Sequence, residues 1–479
     1  VYRKANGETG ALDYREKAPL SAHRDMYLDS LGNVIPNKST LGATAVGVPG
    51  TVAGIIEVHK KFGSLPLEEI MAPVIALAER GVVVTANQEK RLASQRDKFI
   101  EVNSDSTKFA TEFKENDTIK YPALAKTFRS IAKNGRDGFY KGEVAKKIVA
   151  SQKRNGGLMT LSDLKNYLVK KRTPVEGTYK GYKIVSMPPP SSGGTHVIQI
   201  LNILEGFDIK ALGAQSAEAI HLTSSAMQIA FADRAEYMGD SDFKKVPVST
   251  LVSKEYAKKL REKITLDKAL SSKDFPIPFK ELMPESDHTT HFTIMDGQGN
   301  IVTSTQTING WFGSSVVAEG TGIVMNNEMD DFASHVGGVN LFGAVGGKNN
   351  LVEPRKRPLS SMSPTIVFDK EGKPFMALGT PSGTRILTCV MQTVLNVLEH
   401  DMPLWEAVAA TRYHHQWSPE EIRIGPPYFS TEVEEKLKAM GHKINHKSLG
   451  CKIQAIQKQK DGTLLGVSDP REEGMSFGI

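Results

Sequence analysis

Residues 284–331 read PESDHTTHFTIMDGQGNIVTSTQTINGWFGSSVVAEGTGIVMNNEMDD, and the fold follows from how this stretch is parsed. The segment before it, Asp274 to His288, carries prolines and little periodicity, then gives way at Thr289 to alternation. Phe292 and Ile294 share one parity while Thr289, His291 and Thr293 share the other, the pattern of a half-buried strand. The loop Gly297-Gln298-Gly299-Asn300 turns the chain back into Ile301 to Thr307, which is rich in β-branched residues. With Asp296 facing Ile301, Thr289 falls opposite roughly Ile308, so Thr307 and Asn309 flank it across the ladder. Three polar side chains then meet at one strand end.

Such a meeting suggests a chemistry. A hydroxyl is a poor nucleophile until a base takes its proton, and a threonine can use its own α-amine once it heads a chain. An internal Thr289 has no free amine, so the chain has to be cut between His288 and Thr289. The Thr289 hydroxyl attacks the preceding carbonyl, and water opens the resulting ester. The plain alternative is that Thr289 and Thr290 are ordinary β-formers at a strand start.

The block DHTTHFTIMD, followed by TQTING, NNEMDDF, KRPLSSMSPTIV and GTPSGTR, resembles the γ-glutamyltranspeptidase family of N-terminal-nucleophile hydrolases. The likeness runs from ALDYREKAP to VSDPR, essentially the whole chain, with the motifs in order. It implies an α+β fold, a four-layer α-β-β-α sandwich, and self-cleavage into segments 1–288 and 289–479 that stay together as a heterodimer. It implies glutathione, glutamine or another γ-glutamyl compound as donor, and water, amino acids or peptides as acceptors. No cofactor is expected. Related acylases share the framework, so a glutaryl-cephalosporin or poly-γ-glutamate acylase is one rival; a catalytically silent γ-glutamyl-binding homologue is another.

The resemblance also distributes roles. Arg15 grips the substrate α-carboxylate with a planar fork that matches both oxygens, and Ser360 and Ser361 add hydroxyls to it. Asp331 and Glu328 take the α-amino group with Asn309, so that cation and acids bracket an amino-acid head group at a fixed distance from the nucleophile. Thr307 orients Thr289. The backbone N–H groups of Ser382 and Gly383 face the oxyanion, worth roughly 3 to 4 kcal/mol per donor in other enzymes. Two departures stand out: Ser382 occupies a position where relatives carry glycine, which strains a positive φ, and Phe342 replaces a lid tyrosine. On their own these residues have plainer readings: a surface ion pair for Arg15 with Asp13 and Glu16, a turn before a buried strand for Ser360 and Ser361, a helix cap for Ser191 and Ser192.

Composition sets limits. The 479 residues are 39% hydrophobic and 24% charged, ordinary for a soluble globule, and suffice for a large core. A net charge of +6 with dispersed Lys and Arg does not suggest nucleic-acid binding. No apolar run approaches the ~18 residues of a membrane span. No histidine spacing matches a metal motif such as HExxH, and His414 and His415 read as structural because the proposed mechanism supplies its own base. The two cysteines, Cys389 and Cys451, allow one bridge at most. The chain opens at Val1 inside what reads as a strand, so it looks truncated or processed. Any export signal then lies upstream, and the resemblance implies a periplasmic or secreted protein.

Elsewhere, apolar residues recur at helical spacing over Thr51–Phe62, Pro66–Gly81, Tyr121–Lys133, Gly142–Arg154, His196–Leu204, Ala217–Tyr237, Ile386–Glu399, Leu404–Arg412 and Thr431–Met440. Strands are expected over Lys183–Ser186, Cys451–Gln459 and Leu464–Asp469. Ala333 to Asn350, glycine-rich and aperiodic, reads as a mobile loop, and the resemblance implies that it acts as a lid over the site.

Overall fold

The computed structural model describes residues 1–104, 107–275 and 289–478. Two antiparallel sheets form its centre. Eleven strands matter here: β1 (Tyr2–Arg3), β2 (Thr9–Asp13), β3 (Lys170–Arg172), β4 (Val175–Tyr179), β5 (Tyr182–Ser186), β6 (Thr290–Met295), β7 (Ile301–Gln306), β8 (Thr365–Phe368), β9 (Pro374–Gly379), β10 (Gln454–Lys458) and β11 (Leu464–Ser468). One sheet has the order β3-β2-β1-β7-β6, the other β11-β10-β9-β8-β5-β4. Val185, Met295, Ile301, Ile366, Phe368 and Ala377 form the apolar layer between them.

Each sheet mixes strands from the two sides of residue 288. In the first, Tyr2 pairs with Val302; in the second, Ser186 pairs with Thr365. The hairpin β6–β7 runs in the register Met295↔Ile301 to Thr290↔Gln306. That is one residue away from the pairing of Asp296 with Ile301, and continuing the ladder sets Thr289 against Thr307 itself. The turn, five residues long over 296–300, is the cause: Asp296 Oδ1 accepts from Gln298 N at 3.0 Å and from Asn300 N at 2.8 Å, which draws Asp296 out of the ladder and into the loop.

Three helices cover the six-stranded sheet: α2 (Gly193–Leu204), α3 (Ala217–Tyr237) and α4 (Arg385–Leu398), numbered after α1 (Thr51–Phe62). Every residue of α2 is buried, as a helix apolar all round its circumference requires. Its Ile198, Ile200 and Leu201 join Ile220, Met227, Leu387 and Val394 in the largest core cluster. On the far side α1 lies over the five-stranded sheet, with the Phe62 and Tyr2 rings 5.0 Å apart. The layers are therefore α-β-β-α, as the resemblance implied.

The hairpin's face assignment was not legible beforehand. Its apolar parity points outward: Phe292 is 42% and Ile294 59% exposed, along a groove of about 460 Å³ that α1 also lines. Its polar parity is buried between the sheets, where His291 hydrogen-bonds Thr305 Oγ1 at 2.8 Å and Thr293 Oγ1 at 3.0 Å. A mutually satisfied set of polar groups tolerates burial, and burial pushes His291 down to about 3, so its ring is neutral.

Helix ends mostly fall within a residue or two of expectation. The exceptions are α2, which starts three residues earlier at Gly193, and Leu404–Ala409, which stops before Ala410 turns extended. The two cysteines form a disulfide, Cys389–Cys451, between α4 and the segment before β10. Among the described residues no helix is long and apolar enough to cross a membrane, and no cluster could hold a metal ion.

Candidate active site

Thr289 stands immediately before β6, and its hydroxyl donates to Thr307 Oγ1 at 3.4 Å. Thr307 in turn accepts from Asn309 N at 2.8 Å, a bond that fixes its rotamer. Asn309 sits at φ 70°, and its carboxamide donates to Asn327 O at 3.1 Å, tying this strand end to the next element. His288 and the bond joining it to Thr289 lie outside the described residues.

Around Thr289 the chain closes a small cavity of about 20 Å³, lined by Arg15, Arg234, Thr307, Asn309, Asp331, Asn340, Phe342, Ser360, Ser361 and Gly383 among others. Eight of the residues anticipated for substrate or catalysis thus meet Thr289 here. Glu328 sits just behind Arg15, and Ser382 is next to Gly383. The space holds about one water.

Arg15 follows β2 and is pinned at its base, where its N–H donates to Asp13 Oδ1 at 3.0 Å and Tyr167 OH donates to its carbonyl at 2.8 Å. Its Nε donates to Pro358 O at 3.3 Å, beside Ser360 and Ser361. The guanidinium bonds directly to Asp331 and lies 2.9 Å from Glu328 Oε2. Cation and acids are therefore in contact instead of standing at opposite ends of the cavity.

The short helix Glu328–Asp331 places these acids, started by Asn326, whose Oδ1 accepts from Glu328 N at 3.0 Å and from Gly47 N at 2.9 Å. Glu328 and Asp331 differ in surroundings. Asp331 has Arg15, and Asn340 Nδ2 donates to its Oδ1 at 2.7 Å. The Arg15 N–H is not directed at Glu328, so neither Glu328 oxygen accepts a hydrogen bond despite the short separation. Burial raises both carboxyls and Arg15 offsets it. The offset is the stronger at Asp331, which Arg15 and Asn340 also hydrogen-bond, so Glu328 is raised further and holds its proton more readily. Burial lowers Arg15, but Glu328 and Asp331 outweigh it and the guanidinium stays charged.

Ser360 and Ser361 come before β8. Ser360 N donates to Pro190 O at 2.9 Å, so the Met187–Thr195 loop braces this turn. Ser192, expected to cap α2, makes no side-chain cap bond. Its hydroxyl donates to Ser360 O at 2.9 Å and lies 3.4 Å from Ser361 Oγ. Ser191 has a partial capping role, accepting from Gly193 N at 3.1 Å.

The turn between β9 and α4 holds Ser382 at φ 116° and Gly383 at φ 55°. A serine there is strained, at a cost on the order of 1 to 3 kcal/mol. Something opposes that strain: the buried Ser382 hydroxyl donates to Leu449 O and accepts from Arg385 Nε at 3.1 Å and Nη2 at 3.0 Å. At Gly383 a Cβ would come within 2.3 Å of the Phe342 ring. Phe342 is buried over this turn. Its loop is held without a phenol, through Gln416 Nε2 to Gly343 O at 3.0 Å and Thr384 Oγ1 to Gln416 Oε1 at 2.7 Å. Asp330 adds a further tie, accepting from Leu341 N at 2.7 Å. His414 bonds Thr388 and Gln416, and burial takes it down to about 3; neither it nor His415 lines the cavity.

Sequence reasoning missed Arg234 and Asn340. Arg234 had a signal, a cation inside the helical stretch AEAIHLTSSAMQIAFADRAEY where most residues are small or apolar. Asn340 lay in a glycine-rich loop with no period to orient it.

What the arrangement offers is a threonine hydroxyl at a strand end, a second hydroxyl bonded to it, a charge pair sharing its cavity, and a strained turn at the cavity wall. The sequence profile of the family described as Gamma-glutamyltranspeptidase matches residues 1–479. The chain is 44% identical over 475 residues to the glutathione hydrolase proenzyme of Escherichia coli (strain K12), covering 98% of this chain and 81% of that protein. The crystal structure of Helicobacter pylori gamma-glutamyltranspeptidase is similar at 46% identity and a TM-score of 0.56, covering 58% of this chain and 80% of the other. That of cephalosporin acylase from Bacillus halodurans is similar at 26% identity and a TM-score of 0.81, covering 98% and 84%.

Proposed function

The chain belongs to the γ-glutamyltranspeptidase family, and from that premise we propose that Thr289 is the nucleophile of an autoprocessing glutathione hydrolase and γ-glutamyltransferase. The observation that carries this reading is the Thr289 hydroxyl set against Thr307 in a cavity shared with Arg15, Asp331 and Gly383.

In the proposed precursor, Thr289 Oγ attacks the carbonyl carbon of residue 288, the peptide C–N bond breaks, and the ester formed is hydrolysed by water. This frees the α-amine of Thr289. Segments 1–288 and 289–479 remain together as a heterodimer. In turnover that amine takes the Thr289 hydroxyl proton while Oγ bonds to the γ-carbonyl carbon of glutathione, glutamine or another γ-glutamyl donor. Thr307 holds the nucleophile's orientation. The Ser382 and Gly383 N–H groups receive the oxyanion. When the C–N bond breaks, the leaving amine takes the proton, and water or an acceptor amine then opens the γ-glutamyl ester.

Recognition follows from charge. Arg15, Ser360 and Ser361 meet the α-carboxylate; Asp331, Glu328 and Asn309 meet the α-ammonium. A zwitterionic head group replaces one internal ion pair by two matched ones. A glutaryl group, lacking the ammonium, would leave Asp331 short of a partner, and this favours γ-glutamyl donors over those of an acylase. A periplasmic or secreted location accompanies the proposal.

The test is to incubate the purified chain, sequence the N-terminus of any new fragment, and assay a chromogenic γ-glutamyl anilide. Two fragments with Thr289 leading the second, and activity lost in Thr289→Ala, are expected. Activity with the 288–289 bond intact would refute the mechanism, and γ-glutamyl binding without turnover would favour the silent homologue.

A further inference from the structure

Arg234 lacks the carboxylate partner that several buried arginines of this fold have. Arg15, Arg357 and Arg412 each face a carboxylate. Arg234, only 5% exposed near the end of α3, makes no ion pair among the described residues. Its Nε donates to Ser192 Oγ at 3.0 Å, its terminal nitrogens donate to no described residue, and its side chain lines the cavity that holds Thr289, Arg15, Asp331, Ser360 and Ser361. Asp331 is within electrostatic range, but its oxygens are taken by Arg15 and Asn340.

A buried charge without a counter-ion costs several kcal/mol, and folds seldom retain one unless something outside the chain supplies the opposite charge. The group missing is an anion, small enough for this cavity and close to the Ser360–Ser361 turn. Ser192 strengthens the argument, since the hydroxyl that receives Arg234 Nε also lies 3.4 Å from Ser361 Oγ.

We propose that Arg234 is a second cationic anchor for the donor's α-carboxylate, shared with Arg15. The inference rests on the γ-glutamyl reading above and deepens it. Arg15 pairs with Asp331 and turns to the carboxylate only as the substrate ammonium takes Asp331. Arg234 has terminal N–H groups to spare and supplies the charge that selects a free α-carboxylate over an α-amide or α-ester. Arg234 is thus a specificity-determining residue that contacts the head group, remote from the bond that breaks.

The experiment compares two donors, a γ-glutamyl anilide and the same anilide with its α-carboxylate converted to the carboxamide, in wild type and in Arg234→Gln. One charge-assisted hydrogen bond sets the expected scale. On that scale KM for the carboxylate donor rises about 10- to 100-fold with kcat within about threefold, and kcat/KM for the carboxamide stays near wild type. The preference for the carboxylate shrinks by the same factor. Arg234→Lys, which keeps the charge and loses the fork, falls between the two and serves if the glutamine variant does not fold. Equal losses on both donors would show that Arg234 only braces Ser192, and unchanged discrimination would show no contact; either result overturns the proposal. A wild type without Thr289-dependent activity on the anilide sinks the parent reading instead, so the two failures are distinguishable.

Discussion

Ser382→Ala isolates what the serine hydroxyl does for the turn that faces the nucleophile. The substitution keeps Cβ at φ 116°, so the backbone strain remains while the restraint is removed. Lost are the donated bond to Leu449 O and the forked contact accepted from Arg385 Nε and Nη2, counted here as one bond to a charged group because Arg385 Nε keeps Leu449 O at 2.7 Å as another acceptor. A neutral bond contributes about 1 kcal/mol and one to a charged group about 1.5 to 3, so the restraint amounts to roughly 2 to 4 kcal/mol. That matches or exceeds the strain of roughly 1 to 3 kcal/mol, and without it the turn relaxes. If relaxation removes one oxyanion donor, kcat falls about 10²- to 10³-fold. KM should stay within about threefold, because Arg15, Ser360, Ser361 and Asp331 belong to other elements. The assay is steady-state hydrolysis of a γ-glutamyl anilide by the fully cleaved enzyme, so that slow maturation does not masquerade as slow turnover. Ser382→Gly, which removes strain and hydroxyl together, should lie between Ser382→Ala and wild type. A Ser382→Ala enzyme with kcat within twofold of wild type would refute the reasoning.

Other outcomes can be checked alongside. Thr289→Ala should yield one uncut band on a denaturing gel and no turnover, and Thr289→Ser should retain some of each activity. Burial raises the Glu16 carboxyl from its ordinary 4.5 to about 7. Its stabilising contribution is therefore complete below about pH 4.5 and lost as pH rises through about 7, and Glu16→Gln should flatten denaturant-measured stability over that window by about 3 kcal/mol. Replacing Cys389 and Cys451 by serine opens a loop with a sequence separation of 62, a loss of up to about 4 kcal/mol by chain entropy, read as a lower unfolding midpoint.

The sequence made some of this legible and hid the rest for physical reasons. The hairpin and the helices could be read because alternation, a Gly-rich turn and helical periods act locally, whereas the layer order came from the family resemblance. Which face of the hairpin is buried could not, because His291 is satisfied by Thr293 and Thr305 only once the strands pair, and the register depended on how Asp296 closes the turn. The approach of Arg15 to Asp331, 316 positions away along the chain, needs the tertiary fold, as does the isolation of Arg234. Ser382 was visible as a departure, but the Arg385 and Leu449 groups that restrain it were not. The loop around Phe342 was read as mobile from its glycines; in the structure it is closed on the site, bonded through its backbone, which glycine content does not reveal.

Both sheets interleave strands drawn from either side of residue 288, with β1 against β7 and β5 against β8. Scission there leaves the hydrogen-bonded ladders untouched, so the native shape survives it, but the chain's memory of how to regain that shape does not. Before the cut, refolding is unimolecular; afterwards each half lacks partners for its own strands and must meet its complement in solution. Recovery from denaturant should accordingly slow with dilution for the mature protein and be indifferent to concentration for an uncleavable one, so maturation ties the native state to protein concentration.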